Sequence, residues 1–115
     1  MKRLAVGIAL VLFAGAASAA PGTCDAAQAT DYVPAGVCKM PADVQALVVR
    51  EETCVHFAGE EPYDEARRRE IESAIRKFCG NEKRLSVLMQ RYRKDKVVSS
   101  WLRDYARDAG LTPRP

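Results

Sequence analysis

Four cysteines, Cys24, Cys38, Cys54 and Cys79, follow a leader-like N-terminus in a chain of 115 residues, and they constrain the fold more than any other feature. Lys2 and Arg3 make a positive start, residues 4–14 are apolar apart from one glycine, and Ala17-Ser18-Ala19 is the small-x-small pattern that signal peptidase recognises. The expected cut follows Ala19, so residues 1–19 read as a signal peptide and the remainder as a periplasmic or secreted domain. At roughly a dozen residues the apolar run is shorter than the ~20 that a spanning helix needs, and no membrane span is expected in the mature form. An even number of cysteines on this route reads as two disulfides. Zinc is the competing use of the same residues. No C-x-x-C occurs, and His56, the sole histidine, stands two residues from Cys54, a spacing that common zinc sites do not use. No metal or other cofactor is expected.

The chain is 48% apolar and 29% charged, which excludes both a disordered and a fibrous protein. No stretch of useful length alternates with period two, whereas apolar residues repeat at helical spacing. The expected fold is therefore all-α, a small disulfide-stapled bundle of about four helices over residues 41–110. An irregular, disulfide-tethered arm, residues 20–40, precedes it, with a short helical turn around residues 25–30. A frayed tail, 111–115, follows.

Pro41 and Asp43 mark the first helix start, with Val44, Leu47, Val48 and Val55 on one face as far as about residue 57. The second helix is expected over 62–79, its apolar stripe made of Tyr63, Ile71, Ala74, Ile75 and Phe78, with Gly80 as a left-handed cap. Asn81 is placed to cap a third, in which Leu85, Leu88, Met89 and Tyr92 repeat. Asp95 is placed to cap a fourth, with Val98, Trp101, Leu102, Tyr105 and Ala109 before Gly110 and Pro113 stop it.

Helix geometry also orders the cysteines. A continuous first helix separates Cys38 from Cys54 by roughly 24 Å, too far for a bridge. If residues 58–61 form a tight connection, the first two helices run antiparallel and Cys79 returns to the start of the first. Cys38–Cys79 and Cys24–Cys54 are then the expected pairs. The alternative, Cys24–Cys38 with Cys54–Cys79, requires on this reasoning that the first helix stop before Cys54.

Removal of Lys2 and Arg3 with the leader lowers the net charge from +3 to +1. The remaining charge is segregated: residues 20–81 carry a net −4 and residues 82–115 a net +5. Such a chain attracts partners by patch rather than by total charge. From Glu51 to Glu65 there are six acids and no Lys or Arg. His56, Glu60, Glu61, Tyr63 and Asp64 thus define an acidic inter-helix corner, which pairs such as Glu65–Arg69 and Asp64–Arg68 would partly neutralise. A basic face, Arg91, Arg93, Lys94 and Lys96, is flanked by Lys83, Arg84, Arg103 and Arg107. The interleaved Tyr92, Trp101 and Tyr105 fall on apolar stripes and read as core, so no nucleic acid is expected.

A histidine beside carboxylates is the minimum for general base chemistry, but the stronger reading of His56 is a structural corner. The sequence has no G-x-S-x-G turn, P-loop or H-E-x-x-H, and a second histidine is missing. The expectation is a non-enzyme: an exported interaction protein, of the inhibitor or immunity type, that binds an envelope or periplasmic protein through the acidic corner. The second expectation is a binder of anionic ligands or client proteins through the basic C-terminal half. Oligomeric state is not legible.

Overall fold

The structure, a computed structural model, describes residues 24–30 and 32–115. The expected signal peptide, its cleavage point and the first residues of the arm lie outside them. The described elements are all helical: α1 (Asp25–Ala29), a 3₁₀ turn (Val37–Lys39), α2 (Ala42–Ala58), α3 (Glu65–Phe78), α4 (Glu82–Arg91) and α5 (Lys96–Ala109). Two disulfides staple them.

Pro41 precedes α2 with φ −54°, already helical in that angle, and the Asp43 carboxylate accepts the Val44 N–H at 2.9 Å in the first turn. Val44, Leu47 and Val48 on the inward side of α2 are each no more than 2% exposed. Val44 and Leu47 pack with Leu85 and Leu88 of α4 and with Val98, Leu102 and Ala106 of α5, while Met40 and Leu111 close the ends. A second, smaller cluster joins Val48 to Ala26, Val37 and Tyr105, and through it the arm is laid against α2 and α5. Each such fully buried aliphatic side chain contributes up to roughly 1.5–3 kcal/mol.

Caps fix where α5 begins and ends. Asp95 accepts the N–H groups of Val97 and Val98, both at 3.1 Å, as expected of a helix start. Gly110, at φ +68°, ends it, and the Leu111 N–H then bonds the Ala106 carbonyl at 2.8 Å, turning Leu111 onto the core. The tail thus begins with a packed residue before 112–115 become exposed. Asn81 differs from expectation. Its side chain is fully buried and serves no helix N–H, donating instead to Glu51 Oε2 at 2.8 Å and to the Phe78 carbonyl at 2.7 Å.

The disulfide pairing corrects the expectation. The bonds are Cys24–Cys38, with Cα atoms 5.2 Å apart, and Cys54–Cys79, at 4.9 Å. Nor does α2 stop before Cys54; it runs unbroken through it to Ala58. The faulty premise was the tight connection. Residues 59–64 lead the chain away from α2 before α3 starts at Glu65, so α3 returns only along the C-terminal part of α2. Arg67, in the first turn of α3, meets Glu60 and Phe57, whereas the Lys77 carbonyl at the far end accepts from Arg50. That register places Cys79 beside Cys54, and Cys38, one turn before α2, is left to Cys24.

The same displacement corrects the apolar stripes. Val55 is 53% exposed and Tyr63, which precedes α3, is 82% exposed. Of the α3 stripe only Ile71 is buried, with Ala74, Ile75 and Phe78 half-buried, because α3 packs chiefly on α2 and belongs to neither core cluster.

Candidate functional site

The acidic corner forms where α2 hands over to α3, and the six acids do not stay together there. Glu51 points inward and is buried against Asn81, while Glu52 accepts the Tyr105 hydroxyl at 2.9 Å on another side of α2. Residues 51 and 52 are separated from 60 and 61 by more than two helical turns, so a run of acids in sequence is spread along and around the helix. Glu60 is held bidentately by Arg67 at 2.6 and 2.7 Å, and the guanidinium lies 5.8 Å over the Phe57 ring. That grip pulls the Glu60 carboxyl below its ordinary range, and it raises the Arg67 guanidinium further still. Arg67 also reaches Glu70 at 2.9 Å. The neutralising pairs are therefore Glu60–Arg67 and Glu65–Arg68 (3.1 Å), not the expected Glu65–Arg69 and Asp64–Arg68.

Asp64 caps α3 by accepting the Arg67 N–H at 2.8 Å. His56 stands exposed with Nε2 3.9 Å from Glu60 Oε2, a distance too long for a strong hydrogen bond, and its ring meets Phe57 edge-on. Beside it is a hollow of about 370 Å³ formed with Thr30, Tyr32, Glu52 and Thr53. Both threonine hydroxyls in that hollow bond main-chain carbonyls, Thr53 to Val49 and Thr30 to Ala26 and Tyr32, so neither is aligned on His56 as a nucleophile would be. What the corner presents outward is Glu61 and Tyr63, both exposed on a connection braced at both ends, followed by the exposed Glu65 at the first position of α3.

The basic residues divide between two places. Arg93, Lys94 and Lys96 are exposed around the α4–α5 connection, where Arg93 donates to the Gln90 carbonyl at 3.2 Å. Arg91 instead turns toward α2 and pairs with Asp43. Burial would push the Asp43 carboxyl up, but hydrogen bonds from Tyr92, Arg91 and the Val44 N–H together hold it below the usual carboxylate range. The Tyr92 hydroxyl, 2.7 Å from Asp43, is raised by that bond. The interleaved aromatics are structural: Trp101 and Tyr105 stack at 5.4 Å and 6°, and the indole N–H donates to the Ala35 carbonyl at 2.9 Å.

Sequence reasoning passed over Arg50 and Val87. Arg50 donates to Asn81 Oδ1 at 3.3 Å and lies 5.7 Å over Phe78, and Val87 is 49% exposed. Both line an open groove between α2 and α4 of about 620 Å³, with Lys83, Arg84 and Arg91 at its rim. The signal was available: in α2, Asp43, Ala46, Leu47 and Arg50 fall on one face at helical spacing, and in α4, Lys83, Arg84, Val87 and Arg91 do the same.

Among the described residues no three His, Cys, Asp or Glu side chains gather as a metal ion would require, and no helix is long and apolar enough to cross a membrane. No protein-family model matches the chain, and neither a curated protein nor a solved structure is significantly similar to it.

Proposed function

We propose that the chain is exported behind its signal peptide and acts, without catalysis, as an interaction protein that docks the acidic corner on a periplasmic or envelope protein, in the manner of an enzyme inhibitor or an immunity protein. The observation that carries this reading is Tyr63. It is 82% exposed, more than any other large apolar or aromatic side chain among the described residues, and it stands beside Glu61. In an interface a tyrosine serves as an anchor, with an apolar ring to bury and a hydroxyl to hydrogen-bond. Its loop is pre-set by the Glu60–Arg67 pair, the Asp64 cap and the Cys54–Cys79 bond, so little ordering entropy remains to be lost on docking. Glu61, exposed and in no ion pair among the described residues, supplies most of the negative field that draws a cationic cleft and sets the association rate, and Glu65, shared with Arg68, adds a lesser part.

A photoreactive benzoyl-phenylalanine at position 63, in protein exposed to an envelope extract, tests the reading. The expected result is one discrete adduct, absent when the probe stands at Arg76 on the exposed side of α3. Glu61→Lys with Glu65→Lys is expected to lower its yield about tenfold at low salt. Equal labelling from positions 63 and 76 would refute it.

A further inference from the structure

The groove between α2 and α4 lies on the side of α2 opposite Glu52 and Val55, and the corner uses none of its residues. Its floor is aliphatic: Ala46 and Leu47 from one helix, Val87 and Leu88 from the other. Its rim carries Arg50, Lys83, Arg84 and Arg91, against the single carboxylate of Asp43. Asp43 is already engaged by Arg91 and Tyr92. Lys83 and Arg84 are exposed and make no ion pair among the described residues. Leaving two cations unpaired beside exposed valine favours an occupant that brings both carboxylates and apolar side chains.

The shape narrows this further. The two walls are antiparallel helices, tied at one end by Asp43–Arg91 and at the other by Arg50–Asn81. Between Asp43 and Arg50 the trough runs about 10 Å along α2, roughly two helical turns. Its lining positions, 43, 46, 47 and 50 on one helix and 84, 87, 88 and 91 on the other, recur at three- and four-residue spacing, so a third helix with its own i, i+4, i+7 stripe can lay that stripe between them over Ala46 and Val87. A free phosphate or a sugar acid would satisfy the rim but leave Ala46 and Val87, the exposed aliphatic residues of the groove, uncovered.

We propose that this groove is a second docking site, independent of the acidic corner, for a short amphipathic helix with an aliphatic stripe flanked by Glu or Asp, presented by a partner protein. Arg50 and Arg91 are held in place by their own hydrogen bonds and mark the two ends. Lys83 and Arg84 reach for the carboxylates. Val87 seats the stripe.

The test uses the oxidised exported chain and a fluorescein-labelled synthetic peptide of about twelve residues, about three helical turns, with Leu at i, i+4 and i+7 and Glu on both flanks. Controls are the same peptide with Lys for Glu, poly-glutamate, and anionic phosphatidylglycerol vesicles. The acidic amphipathic peptide is expected to bind in the micromolar range, its Lys counterpart and poly-glutamate at least about tenfold more weakly. Lys83→Glu with Arg84→Glu, and separately Val87→Glu, are expected to cost about tenfold or more each. These positions are exposed in the free protein, and circular dichroism of each variant guards against unfolding. Glu61→Lys with Tyr63→Ala is expected to leave this binding unchanged, so loss of the corner and loss of the groove read out separately. Poly-glutamate or vesicles binding as tightly as the peptide would overturn the proposal, as would indifference to Val87→Glu. So would absence of peptide binding, or peptide-independent self-association through the groove.

Discussion

Tyr105 and Glu52 show how a single hydrogen bond redirects the charge of this molecule. The hydroxyl of Tyr105 is buried in the second core cluster and needs an acceptor there, which Glu52 supplies at 2.9 Å. Burial, and next the nearby Glu52 charge, push the phenol well above its ordinary range. A group whose pKa is raised on folding contributes stability that is fully present below its unfolded value, about 10 for tyrosine, and is lost as pH climbs through the folded value. Tyr105→Phe is therefore expected to cost about 1 kcal/mol at pH 7, and the gap from wild type is expected to close above about pH 10. Urea midpoints from pH 7 to 11 measure it; a gap constant to pH 11 would show that the phenol ionises as readily in the fold as in the unfolded chain. Sequence alone assigned Tyr105 to the core correctly. It could not assign Glu52, because which flank of α2 meets α5 is decided by three-dimensional packing and not by the order of charges.

At the scale of elements, what was legible was local and what was not was the register between elements. The starts at Pro41 and Asp95, the left-handed caps at Gly80 and Gly110, and the inward stripe of α4 depend on residues within a turn or two of one another, and all are found. The disulfide pairing depends on how far residues 59–64 carry the chain before α3 turns back. Two or three residues of connection move a helix by most of a turn, and no periodicity reports that distance. Gly36 has a similar long-range cause: at φ +81° it turns the arm into the 3₁₀ segment, and a Cβ there would stand 3.1 Å from Trp101 Nε1, a residue far along the chain. The two bridges also do different work. Chain entropy assigns about 3 kcal/mol to Cys24–Cys38 and about 3.5 to Cys54–Cys79, too close to separate them by stability. They separate by location. Replacing Cys24 and Cys38 by Ser is expected to free α1, the element that carries Ala26 into the second cluster, and amide exchange over residues 26–30 should rise while α4 and α5 keep their protection. Replacing Cys54 and Cys79 should instead raise exchange in α3, which has no share in either core cluster. Uniform acceleration throughout in either variant would show that the elements melt as one unit.

For the whole molecule the question is whether two small clusters suffice to fold it. The main cluster has nine buried residues and the second four, and α3 lies outside both. A domain of this size has a total stability of about 5–10 kcal/mol, while the two disulfides together contribute about 6.5 on the chain-entropy model. Reduction should therefore remove most of the margin. Ion pairs add little to offset that loss, since among the described residues four of the seven join neighbours within α3 or α5 and exposed pairs are weak. The expectation is that native protein from the envelope shows no reactive thiol and begins at Ala20, and that it unfolds cooperatively under urea. After reduction its midpoint should fall to near zero denaturant, with four thiols then alkylated, one at each cysteine of the chain. The dependence runs both ways: a chain that folds only when oxidised is functional only where thiols are oxidised, which ties the leader-like N-terminus to the packing of the domain behind it. A reduced form that keeps its helices and a midpoint within about 1 M urea of the oxidised one would break that link, and would place the stability in the core that its two small clusters are here held too small to supply.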